Sequence, residues 1–128
     1  MSLLVFSRFA TLSGFIAVAL GAFGAHALKT KFSAYQLDIW QTAVFYQFVH
    51  TLLLLFVSQQ TSLICSRPML LKTICYCLVA GILLFSGSLY LLAALSIKWL
   101  GAVTPLGGLL FLMSWMLLAF AYTGKKHN

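Results

Sequence analysis

Four apolar stretches, at about 3–28, 35–57, 70–95 and 105–122, fill most of this 128-residue chain, and its charges fall almost entirely between them. An α-helix rises about 1.5 Å per residue, so roughly 20 residues cross a hydrocarbon core of about 30 Å. The pattern predicts four transmembrane helices over about 3–28, 34–58, 70–95 and 105–123. Lipid is therefore the solvent. The polar connectors, at about 29–34 and 58–68, are short, and short connections make successive helices antiparallel. The expected fold is all-α: a single integral membrane domain over 1–128, an up-down-up-down four-helix bundle.

Composition agrees with that reading, at 62% hydrophobic and 7% charged residues. Asp38 is the sole acid against eight Lys and Arg, a net charge of +7. A nucleic-acid surface needs its bases grouped on one face, whereas these are scattered at span ends, where they anchor to anionic head groups. Nucleic acid is excluded as a partner, and the bilayer is the expected one. Arg8, Arg67, Lys72, Lys125 and Lys126 face Lys29, Lys31 and Lys98 across the membrane, so the positive-inside rule puts both termini in the cytoplasm. Trp40 and Trp99 fall at interface depth on the opposite side, as an aromatic belt would place them. Ala25-His26-Ala27 looks like a signal-peptidase site, but the preceding apolar run is longer than a signal core, so the segment reads as a true span.

Local signals set two helix starts. Ser33 with Gln36 forms a capping-box pattern, and Asp38 follows where the helix dipole favours an anion. Thr104-Pro105 reads as N-cap and first helical residue of the last span. The first span carries Ala10, Gly14, Ala17, Gly21 and Gly24 as one small-residue stripe, a surface for close helix approach in lipid. The second carries Gln36, Trp40, Ala43, Gln47, His50 and Leu54 at the same heptad-like spacing. An amide and an imidazole at mid-depth must turn inward and find partners. Antiparallel mirroring puts Gln47 level with Ser86 and Ser114, so the expected contact is a Gln47–Ser86–Ser114 cluster. It serves either as a structural staple or as a ligand or ion site.

His26 is level with Gln36 and a turn from Asp38, which predicts a His26–Asp38 or His26–Gln36 hydrogen bond. His26 and His50 differ in depth by about 20 Å, so they cannot share a haem. No cofactor or metal is expected. Cys65, Cys75 and Cys77 read as small apolar filler. Gly107-Gly108 reads as a site of close helix packing rather than an anion cradle. One acid excludes paired carboxylates, and no nucleophile elbow, zinc motif or phosphate loop occurs. The chain is therefore not expected to be an enzyme.

Several ordered strings carry a resemblance: Gly21-Ala22-Phe23-Gly24-Ala25-His26, Trp40-Gln41-Thr42-Ala43 with Tyr46-Gln47 and His50, Phe85-Ser86-Gly87-Ser88-Leu89-Tyr90, and Thr104-Pro105-Leu106-Gly107-Gly108 leading to Trp115. In this order they resemble domain of unknown function 423, a family of small membrane proteins that includes bacterial inner-membrane proteins and a eukaryotic relative, transmembrane protein 256. The resemblance implies a four-span inner-membrane protein and supplies no reaction. It adds Thr42, Tyr90 and Thr104 to the candidate residues His26, Gln36, Asp38, Gln47, His50, Ser86 and Ser114. Two functional readings follow. One is a non-enzymatic structural or accessory protein acting through helix contacts in a homo-oligomer or larger membrane complex. The other is a small-molecule or ion conduit that uses the polar line on the second helix.

Overall fold

Apolar side chains at nearly every position leave the backbone as the main polar group, and in lipid only a helix satisfies it within one segment. A computed structural model describes residues 2–60 and 66–123. It contains four helices long and apolar enough to cross a membrane: α1 (Leu3–Leu28), α2 (Ala34–Ser58), α3 (Pro68–Leu95) and α4 (Leu100–Thr123). Two of them contain π-helical turns, at Gly24–Leu28 in α1 and at Ile82–Ser86 within α3. Cys65, expected as apolar filler, and Lys125 and Lys126, expected as anchors, lie outside the described residues.

The start of α2 follows its sequence signal. Gln36 N–H donates to Ser33 Oγ at 3.2 Å, and Ser33 N–H donates to Gln36 Oε1 at 2.9 Å. The start of α4 does not. Helix α4 begins at Leu100, so Pro105 stands inside it and Thr104 is no N-cap. A proline in the second turn removes the bond that its own N–H would have made to the Gly101 carbonyl, and its ring crowds that carbonyl, a local cost near the helix start. Tight turns carry the chain into the helix, with Leu100, Gly101 and Ala102 N–H groups bonded to Ile97, Lys98 and Trp99 carbonyls. The connector from α3 turns at Ser96, in the left-handed region at φ 56°. Helix α3 opens at Pro68, two residues ahead of the expected start, with the proline at its first turn.

Helix α2 packs on α1 and α3, and α3 packs on α2 and α4, so the two middle spans separate the first from the last. The small-residue stripe of α1 is filled by α2. Ala10, Ala17 and Gly24 are buried, and a Cβ built on Gly21 or Gly24 would lie 3.2 Å from Val44 Cγ1 or 2.6 Å from Trp40 Cδ1. Trp40 is thus no belt residue: its ring is buried over Gly24, and its indole N–H donates to Leu20 O at 2.9 Å. Trp99 does face outward.

The core falls into two apolar clusters along the bundle. One, towards the chain termini, gathers Phe6, Leu54, Leu71, Leu78 and Leu118 from all four helices. The other, towards the opposite end, gathers Leu28, Ile39, Trp40, Ala43, Leu89 and Ala93. Between them lies a belt of polar side chains.

Candidate functional site

Gln47 and His50 share the inward line of α2 but are three residues apart, so they diverge around the helix and enter different interfaces. Gln47 turns towards α1 and α3. Its Nε2 donates to Ser13 O at 3.1 Å and to Ser13 Oγ at 3.2 Å, and its Oε1 accepts from the Tyr90 hydroxyl at 2.7 Å. Ser13 Oγ in turn shares a hydrogen bond with Thr51 Oγ1, the two oxygens 2.7 Å apart. Three helices are tied at one level by a single amide. Trp40 closes this network on the side away from the chain termini, its ring edge-on to Tyr90 with centroids 4.7 Å apart.

His50 turns towards α4. Its Nδ1 lies 2.8 Å from Tyr46 O, and its Nε2 accepts from Trp115 Nε1–H at 3.2 Å. An acceptor role for Nε2 fixes the proton on Nδ1, so this is a neutral imidazole with both nitrogens used. Its ring stacks on Phe111 at 3.6 Å between centroids, and Tyr46 packs on Phe85 at 4.5 Å with the rings tilted by 35°. Tyr46, His50, Phe85, Phe111 and Trp115 thereby form an aromatic cluster between α2 and α4, with Phe85 of α3 among them.

The expected Gln47–Ser86–Ser114 cluster does not form. Level alone was the warrant for it, and the packing order defeats it, because α4 lies on the far side of α3 from the Gln47 amide. Ser86 Oγ instead donates to Ala43 O at 2.8 Å, and Ser114 Oγ to Leu110 O of its own helix at 2.8 Å. The His26–Asp38 and His26–Gln36 bonds are also absent. His26 and Asp38 are exposed, and Gln36 spends its amide on Ser33 and, across the bundle, on Ala93 O at 2.8 Å. That second bond satisfies a carbonyl in the last turn of α3, where the helix leaves its acceptors orphaned. Thr42 Oγ1 donates to Asp38 O, and Thr104 pairs with Ser88 at 2.7 Å. Of the candidate residues, then, Gln47 and Tyr90 meet directly, and Ser86 lines the same groove as they do.

Ser13 and Thr51 belong to this interior and Tyr46 to its aromatic edge, and none of the three was singled out by sequence. The spacing held a signal for each: Thr51 is four residues after Gln47, Ser13 lies between Ala10 and Ala17 on the buried face of α1, and Tyr46 is four before His50. Among the described residues, no group of three or more His, Cys, Asp or Glu could hold a metal ion, and every buried side-chain nitrogen or oxygen has a partner.

Residues 20–108 match the family described as "Protein of unknown function (DUF423)". The chain is similar to the UPF0382 membrane protein SSP2132 of Staphylococcus saprophyticus, 42% identical over 89% of this chain and 92% of the relative. It is 41% identical to the UPF0382 membrane protein YwdK of Bacillus subtilis over 91% of this chain and 94% of the relative. It is likewise 42% identical to the UPF0382 inner membrane protein YgdD of Escherichia coli K12 over 86% of this chain and 82% of the relative. No solved structure matches it significantly.

Proposed function

The chain belongs to the DUF423 family of membrane proteins, and from that premise we propose that it is a non-enzymatic accessory protein of the inner membrane, working through helix contacts with copies of itself or with a larger membrane complex. One observation carries the reading. Among the described residues, each buried polar side-chain atom is spent on another group of the same chain, so the interior is a set of staples with no donor set aside for a substrate. Polar contacts between membrane helices are worth about 0.6 kcal/mol each. The Gln47 network, joining three helices, is therefore a means of fixing helix register. The four helices carry no folded module outside the bilayer among the described residues, which leaves the outward helix faces as the working surface. Its relative YgdD is an inner membrane protein, and in the sequence five basic residues, Arg8, Arg67, Lys72, Lys125 and Lys126, against three, Lys29, Lys31 and Lys98, support cytoplasmic termini.

Crosslinking in native membranes, followed by sizing of the detergent-extracted protein by light scattering, tests the proposal. The expected result is a discrete species larger than the 14.1 kDa chain, with one recurrent neighbour. A strictly monomeric protein without a recurrent neighbour would contradict it.

A further inference from the structure

Among the described residues every buried side-chain nitrogen or oxygen is paired, whereas the half-exposed Tyr46 hydroxyl, at mid-depth, is not. Tyr46 is the middle residue of α2, with twelve residues on either side of it within Ala34–Ser58. Its side chain is 37% exposed, and among the described residues its hydroxyl meets no hydrogen-bond partner. Half a hydrocarbon core is about 15 Å, further than a tyrosine side chain reaches, so the phenol cannot rise to the interface from there. A donor stranded among acyl chains is costly. Tyr46 requires an acceptor that is brought to it.

Tyr46 lines a groove of about 550 Å³ between α2 and α4, where the rings of His50, Phe85, Phe111 and Trp115 stand beside Gly108 and the aliphatic side chains of Pro105, Leu109 and Leu112. The volume lies within the range of about 300–1,000 Å³ found for small-molecule sites. Both nitrogens of His50 are occupied, by Tyr46 O and by the Trp115 indole. The lining thus carries one free hydrogen-bond donor, on Tyr46, a majority of flat rings among aliphatic neighbours, and no charge. It opens sideways among acyl chains, so its occupant must be an uncharged lipophile. Aromatic walls favour a planar ring, and the free donor demands a carbonyl on it.

We infer that the α2–α4 groove binds a neutral membrane lipophile with a carbonyl-bearing planar ring, the chemical class of the quinones, with the ring carbonyl accepting from Tyr46. Two substitutions separate this from a merely structural cluster. Tyr46→Phe removes the donor and keeps the ring. Gly108→Leu fills the groove from its wall, and a Cβ there meets only Phe85 ring atoms at an ordinary 3.8 Å.

The test is equilibrium binding of a decyl-tailed benzoquinone to the full chain in phosphatidylcholine nanodiscs, read by tryptophan quenching, with decylbenzene as a competitor lacking the carbonyl. The expected result is saturable binding of one quinone per chain, weakened about five- to tenfold by Tyr46→Phe, the share of one hydrogen bond. Gly108→Leu abolishes it, and decylbenzene competes poorly. The inference is overturned if the wild-type chain shows no saturable quenching, if Tyr46→Phe binds like wild type, or if decylbenzene competes as well as the quinone. It is overturned too if Gly108→Leu instead splits an oligomer that binds no quinone, since the groove is then a contact between copies. Should Gly108→Leu fail to fold, the Tyr46→Phe comparison decides alone.

Discussion

Gly107→Ala is expected to cost about 3 kcal/mol or more, the upper end of what one extra methyl does in a packed interior. A Cβ at Gly107 would fall on the Phe85 backbone nitrogen, and would lie 2.7 Å from Phe85 Cβ and 2.8 Å from its Cα. The obstacle is main chain, inside the π-helical turn Ile82–Ser86, so no side-chain rotation relieves it. Helices α3 and α4 must separate, and Phe85 takes its contacts with Tyr46 and Phe111 along with it. In lipid, the close approach that small residues permit is a main source of helix association. Gly108→Ala, one residue away, is the control: its Cβ meets Phe85 ring atoms at 3.8 Å and should leave stability nearly unchanged. Thermal unfolding of the two variants in one detergent checks the contrast. Equal midpoints would mean that α3 and α4 do not meet at Gly107.

Gln47→Leu is expected to cost about 2–3 kcal/mol. Three hydrogen bonds are lost, at about 0.6 kcal/mol each in a membrane, and the Tyr90 hydroxyl is left without its acceptor, which adds about 1 kcal/mol or more. Ser13 suffers less, because Thr51 remains its partner. Tyr90→Phe alone should cost about 1 kcal/mol. In the Gln47→Leu background it should instead recover about 1 kcal/mol, because it removes the stranded hydroxyl. A double-mutant cycle by steric trapping in bilayers measures the coupling directly. Additivity within about 0.3–0.5 kcal/mol would show that Gln47 and Tyr90 do not interact.

Spans and faces were legible in the sequence because hydropathy and small-residue spacing report them directly. The α1 stripe, the inward line of α2 and the Ser33–Gln36 cap all stand where their patterns put them. Gly107 was legible as a packing glycine for the same reason. Partners across the bundle were harder to read. Depth, counted along a helix, put Gln47 level with Ser86 and Ser114, but depth contains nothing about which helices are neighbours. The separation of α4 from the Gln47 interface sent Ser114 back to Leu110 O, and gave the amide to Ser13 and Tyr90. Trp40 misled for a related reason: a tryptophan near a span end serves equally as a belt or as a lid on a glycine, and Gly24 decides for the lid. The Thr104-Pro105 signal failed because the lost bond and the crowding of the Gly101 carbonyl are confined to the helix's first turns, and the turns at 97–102 extend α4 back to Leu100.

Exchange of the Gln47 side-chain amide with deuterated water, followed by solid-state NMR of the ¹⁵N-labelled protein in lipid bilayers, bears most directly on the claim that this interior is a dry, self-satisfied staple. The amide held between Ser13 and Tyr90 should resist exchange for hours and show proximity to the Tyr90 ring. Exchange within seconds, without that proximity, would mean that water reaches Gln47, and the interior would then be a conduit.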